Sequence, residues 1–265
     1  MNAMEKILHD RYLEFWTDIY GIEKEEIKSL IKYTEYINNT LTFTHSPNGS
    51  YNEIKEILMK KHLDYLDEAI SNILQGNYNS LSCTIRIIIE NYITFYLINK
   101  YKKYDLWKYW YVYGAYKVFR IIDHEPGRSI AKKTYLDMCE SFGINDVNIF
   151  DMQSYSWLKK VKKLKNYNFK QACNLVDSNL YKDFNYLSER IHNNNVIFKT
   201  FSVDMKVFSK YIYTLYDITD KTIRLYDHRY LRRYKYKSLC QELLESLDVC
   251  LNYNENFVEE FDAKV

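Results

Sequence analysis

The scarcity of helix-breaking residues constrains the fold of this chain more than any other feature. Its 265 residues include only 6 Gly and 2 Pro. A β-sandwich needs many tight turns, and tight turns favour Gly and Pro. The composition therefore favours long helices with short connections, and it predicts an all-α protein.

The most apolar stretch, TIRIIIENYITFYLINKYKKY at 84–104, predicts a central helix. A helix that is apolar around most of its surface is normally buried. We therefore expect a multi-helix bundle around a buried helix at about 80–103. No stretch of about 18 residues is both apolar and uncharged, so no membrane span is expected.

Apolar residues at helical spacing predict further helices along nearly the whole chain. Their expected bounds are about 4–20, 23–40, 51–75, 105–122, 129–142, 154–166, 168–191, 203–235 with an interruption, and 238–251. The stretch NVIFKTFSV at 195–203 could instead be extended. Ser50, followed by Glu53, predicts a capping box after the loop at 44–50.

Three parts of the chain are expected from the loops and the charge. They are an N-terminal helical arm at 1–43, a main helical domain at 50–251 and an acidic tail at 252–265. The tail is expected to be frayed, because few contacts hold a polar chain end.

Two charged residues, Arg86 and Glu90, lie one helical turn apart within the apolar helix and share a face. A buried charge without a partner costs several kcal/mol, so both residues are expected to be paired or hydrogen-bonded. Two interpretations stay open. The pair is either a buried ion pair that fixes the packing of the helix or the floor of a polar pocket.

A second polar pair occurs in FNYLSERIHNNN at 184–195, where Ser188 and His192 are also four residues apart. His192 lies where this helix is expected to end. There it is either a cation stabilised by the helix dipole or the distant partner that meets Arg86 and Glu90.

These motifs resemble a family of bacterial helical proteins of unknown function. The resemblance covers about 62–220 and is carried by HLDYLDEAISNILQGNYNSLSCTIRIIIENYITFYLINKY at 62–101, by Trp157 in a basic segment and by YLSERIH at 186–192. The family pattern is an Arg-x-x-x-Glu helix followed about a hundred residues later by Ser-x-x-x-His. The resemblance implies that Arg86, Glu90 and His192 converge.

More distantly, the arrangement is similar to HEPN-type helical nucleases of toxin–antitoxin and antiphage systems. Those proteins bring an Arg and a His, four to six residues apart, to a dimer interface to cut RNA. The spacing here differs, because a single residue separates Arg190 from His192. The similarity implies a HEPN-like fold at the coarse level, a homodimer and metal-independent RNA cleavage. Arg86, Glu90 and His192 would then be the catalytic residues and Ser188 a binding residue.

Charge is distributed unevenly along the chain. Residues 1–80 hold 8 Lys/Arg and 13 Asp/Glu, residues 238–265 hold 1 and 7, and the middle therefore holds 28 and 15, a net charge of +13. Two stretches concentrate it: WLKKVKKLKNYNFK at 157–170 and KTIRLYDHRYLRRYKYK at 221–237. Lys and Arg contact phosphates and Tyr can stack on unpaired bases. The candidate polyanion contacts are Arg229, Arg232, Arg233, Lys235 and Lys237.

An alternative interpretation of the basic stretches is a solvated helix face. Its tyrosines would pack inward, and residues 238–265 would supply the acidic counterparts. The functional hypotheses are therefore three: a defence- or toxin-like protein that acts on RNA, a non-catalytic module that binds nucleic acid or a protein, and a structural subunit that assembles oligomers.

Several classes of site are not indicated by the sequence. It holds no HExxH, CxxC, GxGxxG, P-loop or GxSxG motif, so no metal and no cofactor are expected. The five cysteines form no CxxC pair, and no apolar signal-peptide core occurs near the N-terminus. A cytoplasmic location with reduced thiols is expected.

Overall fold

The structure, a computed structural model, describes residues 24–44, 46–47, 49–75, 77–191 and 205–247. These residues are largely helical and contain no β-strand, which confirms the predicted all-α fold class. The α-helices, numbered in chain order, are α1 (Lys24–Thr40), α2 (Tyr51–Leu74), α3 (Tyr78–Lys100), α4 (Leu106–Ile121), α5 (Gly127–Ser141), α6 (Phe169–Asn174), α7 (Ser178–Ile191), α8 (Met205–Tyr226) and α9, which is helical over 234–247. Short 3₁₀ helices cover Lys102–Tyr104, Ser156–Lys160 and Tyr230–Arg232.

The start of α2 follows the predicted cap. The hydroxyl of Ser50 accepts a hydrogen bond from the backbone N–H of Glu53 at 3.1 Å. The carboxylate of Glu53 accepts one in return from the backbone N–H of Gly49, one residue earlier than in the usual capping box. Gly49 has a φ of +69°, a conformation that glycine adopts without strain.

Helix α3 is the buried helix that the sequence predicts. Most of its apolar side chains are buried, from Leu81 to Ile98, although Ile87 and Tyr96 are only half-buried. By length and composition alone, Asn79–Lys100 could cross a membrane, but 67% of this stretch is buried in the structure. This burial is typical of the core helix of a soluble protein.

The largest differences from the predicted helix bounds occur at three places. The segment expected to be helical at 154–166 forms only the 3₁₀ helix Ser156–Lys160. The backbone N–H of Tyr155 donates to the carbonyl of Tyr167 at 2.9 Å, so the lysines between them lie on a closed loop.

The helix expected at 168–191 is divided into α6 and α7, because Asp177 accepts from the N–H of Asn179 at 2.9 Å and starts a new helix there. Helix α9 begins at 234, four residues before its predicted start.

The chain forms two compact units. The described part of the first unit is 24–44, 59–92 and 184–247, and that of the second is 46–58 and 93–183, with the gaps given above. The second unit has an aromatic core in which Phe150 packs on Tyr113, Tyr116 and Tyr135 at centroid distances of 5.7 to 6.3 Å. The predicted helix at 4–20, the stretch 195–203 and the tail at 252–265 lie outside the described residues. The predicted division into arm, domain and tail stays a prediction.

Candidate nucleic-acid interface

Residues 229–237, RYLRRYKYK, form a basic segment in the first unit that leads from the end of α8 into the first turn of α9. Asp227 turns the chain after α8. Its carboxylate accepts a hydrogen bond from the backbone N–H of Arg229 at 3.0 Å, and its carbonyl accepts one from Tyr230 at 3.0 Å. Aspartate commonly forms such turns, because its side chain reaches the backbone two residues on.

Two buried tyrosines hold the basic segment in place. Tyr230 and Tyr236 are 1% and 2% exposed, and their ring centroids are 5.1 Å apart. The hydroxyl of Tyr230 lies 2.6 Å from the hydroxyl of Thr40, and that of Tyr236 lies 3.2 Å from the hydroxyl of Tyr33. Burying an aromatic side chain stabilises a fold by about 2 kcal/mol. The segment is therefore anchored near both of its ends.

The candidate cations of this segment all lie on the surface. Each has an exposed side chain and none forms an ion pair within the part of the chain that the structure describes: Arg229, Arg232, Arg233, Lys235 and Lys237. Residues 227–237 hold these five cations and one acid, Asp227, which gives a net charge of +4. Such a surface attracts a polyanion.

Arg233 differs from the other four cations. Its guanidinium carbon lies 4.5 Å from the centroid of the Tyr230 ring, and its Nη1 donates to the carbonyl of Thr40 at 3.1 Å. Part of its role is therefore to hold the segment against α1. The remaining cations are available for a ligand.

Tyr234 points away from the protein. Its side chain is 86% exposed, although its neighbours Tyr230 and Tyr236 are buried. The expectation that the tyrosines of this stretch pack inward is thus correct for two of them and wrong for Tyr234. An exposed aromatic ring between Arg233 and Lys235 is suited to stack on an unpaired base.

The second basic stretch, 157–170, is a different kind of surface. Trp157 and Leu158 are buried in the second unit, and Lys159 forms an ion pair with Asp151 at 2.7 Å. Lys160 and Lys170 lie over tyrosine rings. The exposed lysines without a described partner are Lys162, Lys163 and Lys165. This stretch lacks an exposed aromatic ring comparable to Tyr234.

The predicted burial of both charges in α3 is wrong. Glu90 is exposed and Arg86 is half-buried, and these two residues form no ion pair with each other. The reason is geometric: residues four apart on a helix are offset by about 40°. Glu90 therefore lies on the same outer stripe as the exposed Cys83, while Arg86 lies at the edge of the core.

An aromatic ring covers the Arg86 guanidinium. Its carbon lies 4.3 Å from the centroid of Phe184 on α7, which is a cation–π contact. The Nε of Arg86 is buried and has no hydrogen-bond partner among the described residues. His192 and the side chain of Ser188 lie outside the described residues, so the predicted convergence of Arg86, Glu90 and His192 stays a prediction.

The sequence did not single out His62, which is the most buried ionisable side chain of α2. It is 0% exposed, its Nε2 lies 3.0 Å from the hydroxyl of Thr219 on α8, and its Nδ1 has no partner among the described residues. Burial lowers the pKa of His62 to about 3. The imidazole is therefore neutral at neutral pH.

Asp220 organises a polar cluster beside the basic segment. Its carboxylate accepts a hydrogen bond from the hydroxyl of Tyr236 at 2.9 Å and pairs with Arg224 at 3.0 Å. Burial raises the pKa of the nearby Cys240 thiol to about 11 and also raises the pKa values of Tyr216 and Tyr236. The thiol and the phenols are therefore neutral at neutral pH. Of this cluster, only the pairing of Asp220 with Arg224 could be predicted from the sequence, because residues four apart lie on the same face of a helix.

No group of three or more His, Cys, Asp or Glu side chains among the described residues is arranged to hold a metal ion. Comparisons with protein families, with curated proteins and with solved structures find no match to this chain.

Proposed function

We propose that this protein binds single-stranded nucleic acid, with RNA as the expected ligand, through the basic segment 229–237. One observation carries the proposal. Five exposed cations without a described ion-pair partner share this short segment with one outward-facing aromatic ring, Tyr234. Cations that track the phosphates, combined with rings on which bases stack, are the common features of proteins that bind single strands.

The exposure of Tyr234 favours a single strand over a duplex. In a duplex the faces of the bases are stacked on each other, and a surface tyrosine cannot reach them. In a single strand every base presents a face, and stacking on an aromatic side chain contributes about 1–3 kcal/mol per base. The cations add an attraction that weakens as salt is added, because bound phosphates release counterions.

The anchoring of the segment also supports binding. A flexible basic tail loses conformational entropy when it binds, and this loss weakens the affinity. The backbone around Tyr234 is held by Tyr230 and Tyr236, both of which are buried in the first unit. The cations are therefore presented from a fixed support.

The Tyr234→Ala variant tests the stacking contact. We expect its affinity for a single-stranded oligouridylate of about ten nucleotides to fall about tenfold, because one stacked base is lost. Its free energy of unfolding should change by less than about 0.5 kcal/mol, because the ring is exposed. Fluorescence anisotropy at low salt measures the affinity, with Tyr104→Ala, another exposed tyrosine, as the control. An unchanged affinity for Tyr234→Ala would show that the ring is not used.

Cleavage of RNA by a defence- or toxin-like activity is a second proposal, with Arg86, Glu90 and His192 as its residues. The observation that favours it is the half-buried guanidinium of Arg86, whose Nε has no hydrogen-bond partner among the described residues. The positive charge of this guanidinium could neutralise charge on a phosphate. Glu90 was expected to belong to this site because it was predicted to be buried. Since Glu90 is exposed, that reason no longer applies.

Induced expression of the wild type and of His192→Ala in bacteria tests cleavage. The proposal expects growth arrest and fragmented RNA with the wild type alone. Normal growth and intact RNA with both would exclude a toxin but leave the binding proposal in place. The homodimer, a protein partner and the cytoplasmic location stay predictions.

A further inference from the structure

A cleft of about 380 Å³ lies between α8 and α9, beside the basic segment. Its volume is within the range of small-molecule sites in proteins, about 300–1,000 Å³. Its lining residues combine apolar and aromatic side chains with a few polar groups. They include Tyr216, Asp220, Arg224, Lys237, Cys240 and Gln241.

The walls of the cleft carry little net charge. Two cations, Arg224 and Lys237, are balanced by two carboxylates, Asp220 and Glu245. The Asp220 carboxylate is already engaged by Arg224 and by the hydroxyl of Tyr236. The cleft is therefore suited to a neutral ligand with an apolar face, and not to a free phosphate.

A nucleobase has this chemistry. It presents an aromatic face that can pack on Tyr216 and Cys240, and it has donors and acceptors along one edge. The polar groups near the cleft include both kinds, since Arg224 carries further N–H donors and the amide oxygen of Gln241 can accept. The Nε2 of Gln241 donates to Glu245 at 2.7 Å, which fixes the orientation of that amide.

Three residues of the basic segment, Leu231, Tyr236 and Lys237, form part of the cleft wall. A strand whose phosphates lie along the segment therefore passes the mouth of the cleft. We infer that the cleft binds one base of the single strand, while the basic segment holds the neighbouring phosphates. This inference rests on the proposed function and adds to it a site that accommodates one base.

A pair of tryptophan variants on α9 tests the inference. Gln241 is exposed and lines the cleft, whereas Ser238 is exposed on the same helix and does not line it. We expect Gln241→Trp to block the cleft and to weaken binding of oligouridylate or oligoadenylate about tenfold. Ser238→Trp should bind as the wild type does.

Alkylation of Cys240 by iodoacetamide at about pH 9, where a larger fraction of its thiol is ionised, gives a second measurement on the wild-type protein. The exposed Cys83 serves as the internal reference, and mass spectrometry reads each site. A saturating oligonucleotide should slow alkylation of Cys240 about fivefold or more and leave Cys83 unchanged.

The possible failures are distinguishable. If the wild type binds the oligonucleotide but Cys240 is not protected, the cleft is not the base site and the proposed function stands. Equal binding by Gln241→Trp and Ser238→Trp leads to the same conclusion. If the wild type binds no single strand at low salt, the proposed function and the inference are both wrong.

Discussion

Replacing three exposed cations of the basic segment with glutamine should weaken binding of single-stranded RNA by about a hundredfold at low salt. The residues are Arg229, Arg232 and Lys235. Arg233 is left in place because it contacts Thr40 and Tyr230, and Lys237 because it lines the cleft. A plot of log affinity against log salt should also become less steep by about 2, since each phosphate contact on a single strand contributes about 0.7.

The matched control removes the same charge from the second unit. Lys162, Lys163 and Lys165 are exposed lysines, and their replacement by glutamine lowers the net charge by the same three units. We expect this variant to bind within about threefold of the wild type. Equal losses in both variants would mean that binding follows net charge and that the basic segment is no site. Both variants should unfold at nearly the wild-type temperature, because the changed residues are exposed.

The stability of the protein should fall below pH 6.5 because of His62. The folded-state pKa of His62 is about 3, lower than the usual value of about 6.5 in an unfolded chain. The unfolded state therefore binds the proton more readily. The stabilisation is complete above pH 6.5 and is lost as the pH falls toward 3, at about 1.4 kcal/mol per pH unit.

The variant His62→Gln isolates this effect, because glutamine does not titrate and its amide can still reach Thr219. Urea unfolding from pH 4 to pH 7 gives the free energy of unfolding of both proteins. The wild type should lose about 3 kcal/mol more than the variant over this range. Parallel curves would show that His62 titrates normally and is not buried as the structure has it. Any constant difference between the two curves reflects packing and does not enter the comparison.

Local signals in the sequence predict the helices well. The cap formed by Ser50 and Glu53, the apolar run of α3 and the bounds of α4 and α5 are set by neighbouring residues, and the structure agrees with them. The break at Asp177 also has a local signal, because aspartate followed by serine is a common helix start. That signal outweighs the helical periodicity that predicted one long helix.

The 3₁₀ helix and loop at 156–167 could not be predicted in this way. The five lysines of this stretch resemble the solvated face of a helix. The loop is instead closed by contacts of Tyr155 with Tyr167 and by the burial of Trp157, which depend on the tertiary fold. Tertiary packing commonly overrides helix propensity in such cases.

The candidate site was predictable in part. The sequence shows the cations of the basic segment. It does not show how the segment is anchored, because the contact between Tyr33 and Tyr236 joins residues that are 203 positions apart. The exposure of Glu90 could have been predicted from helical spacing, although the high average hydrophobicity of α3 conceals it, because Glu90 lies on the same exposed stripe of α3 as Cys83. The burial of His62 could have been predicted in the same way, because His62 lies on the buried stripe of α2 with Leu58 and Leu66.

The most direct test of the central claim is to map where a bound single strand touches the protein. An oligouridylate carrying 4-thiouridine is bound at low salt and irradiated, and the crosslinked peptide is identified by mass spectrometry. We expect the crosslink to fall within 229–237, with Tyr234 as the main site, and heparin to compete for it. Crosslinks concentrated at 157–170 instead, or none above the level of an unrelated protein, would show that the basic segment does not bind the strand.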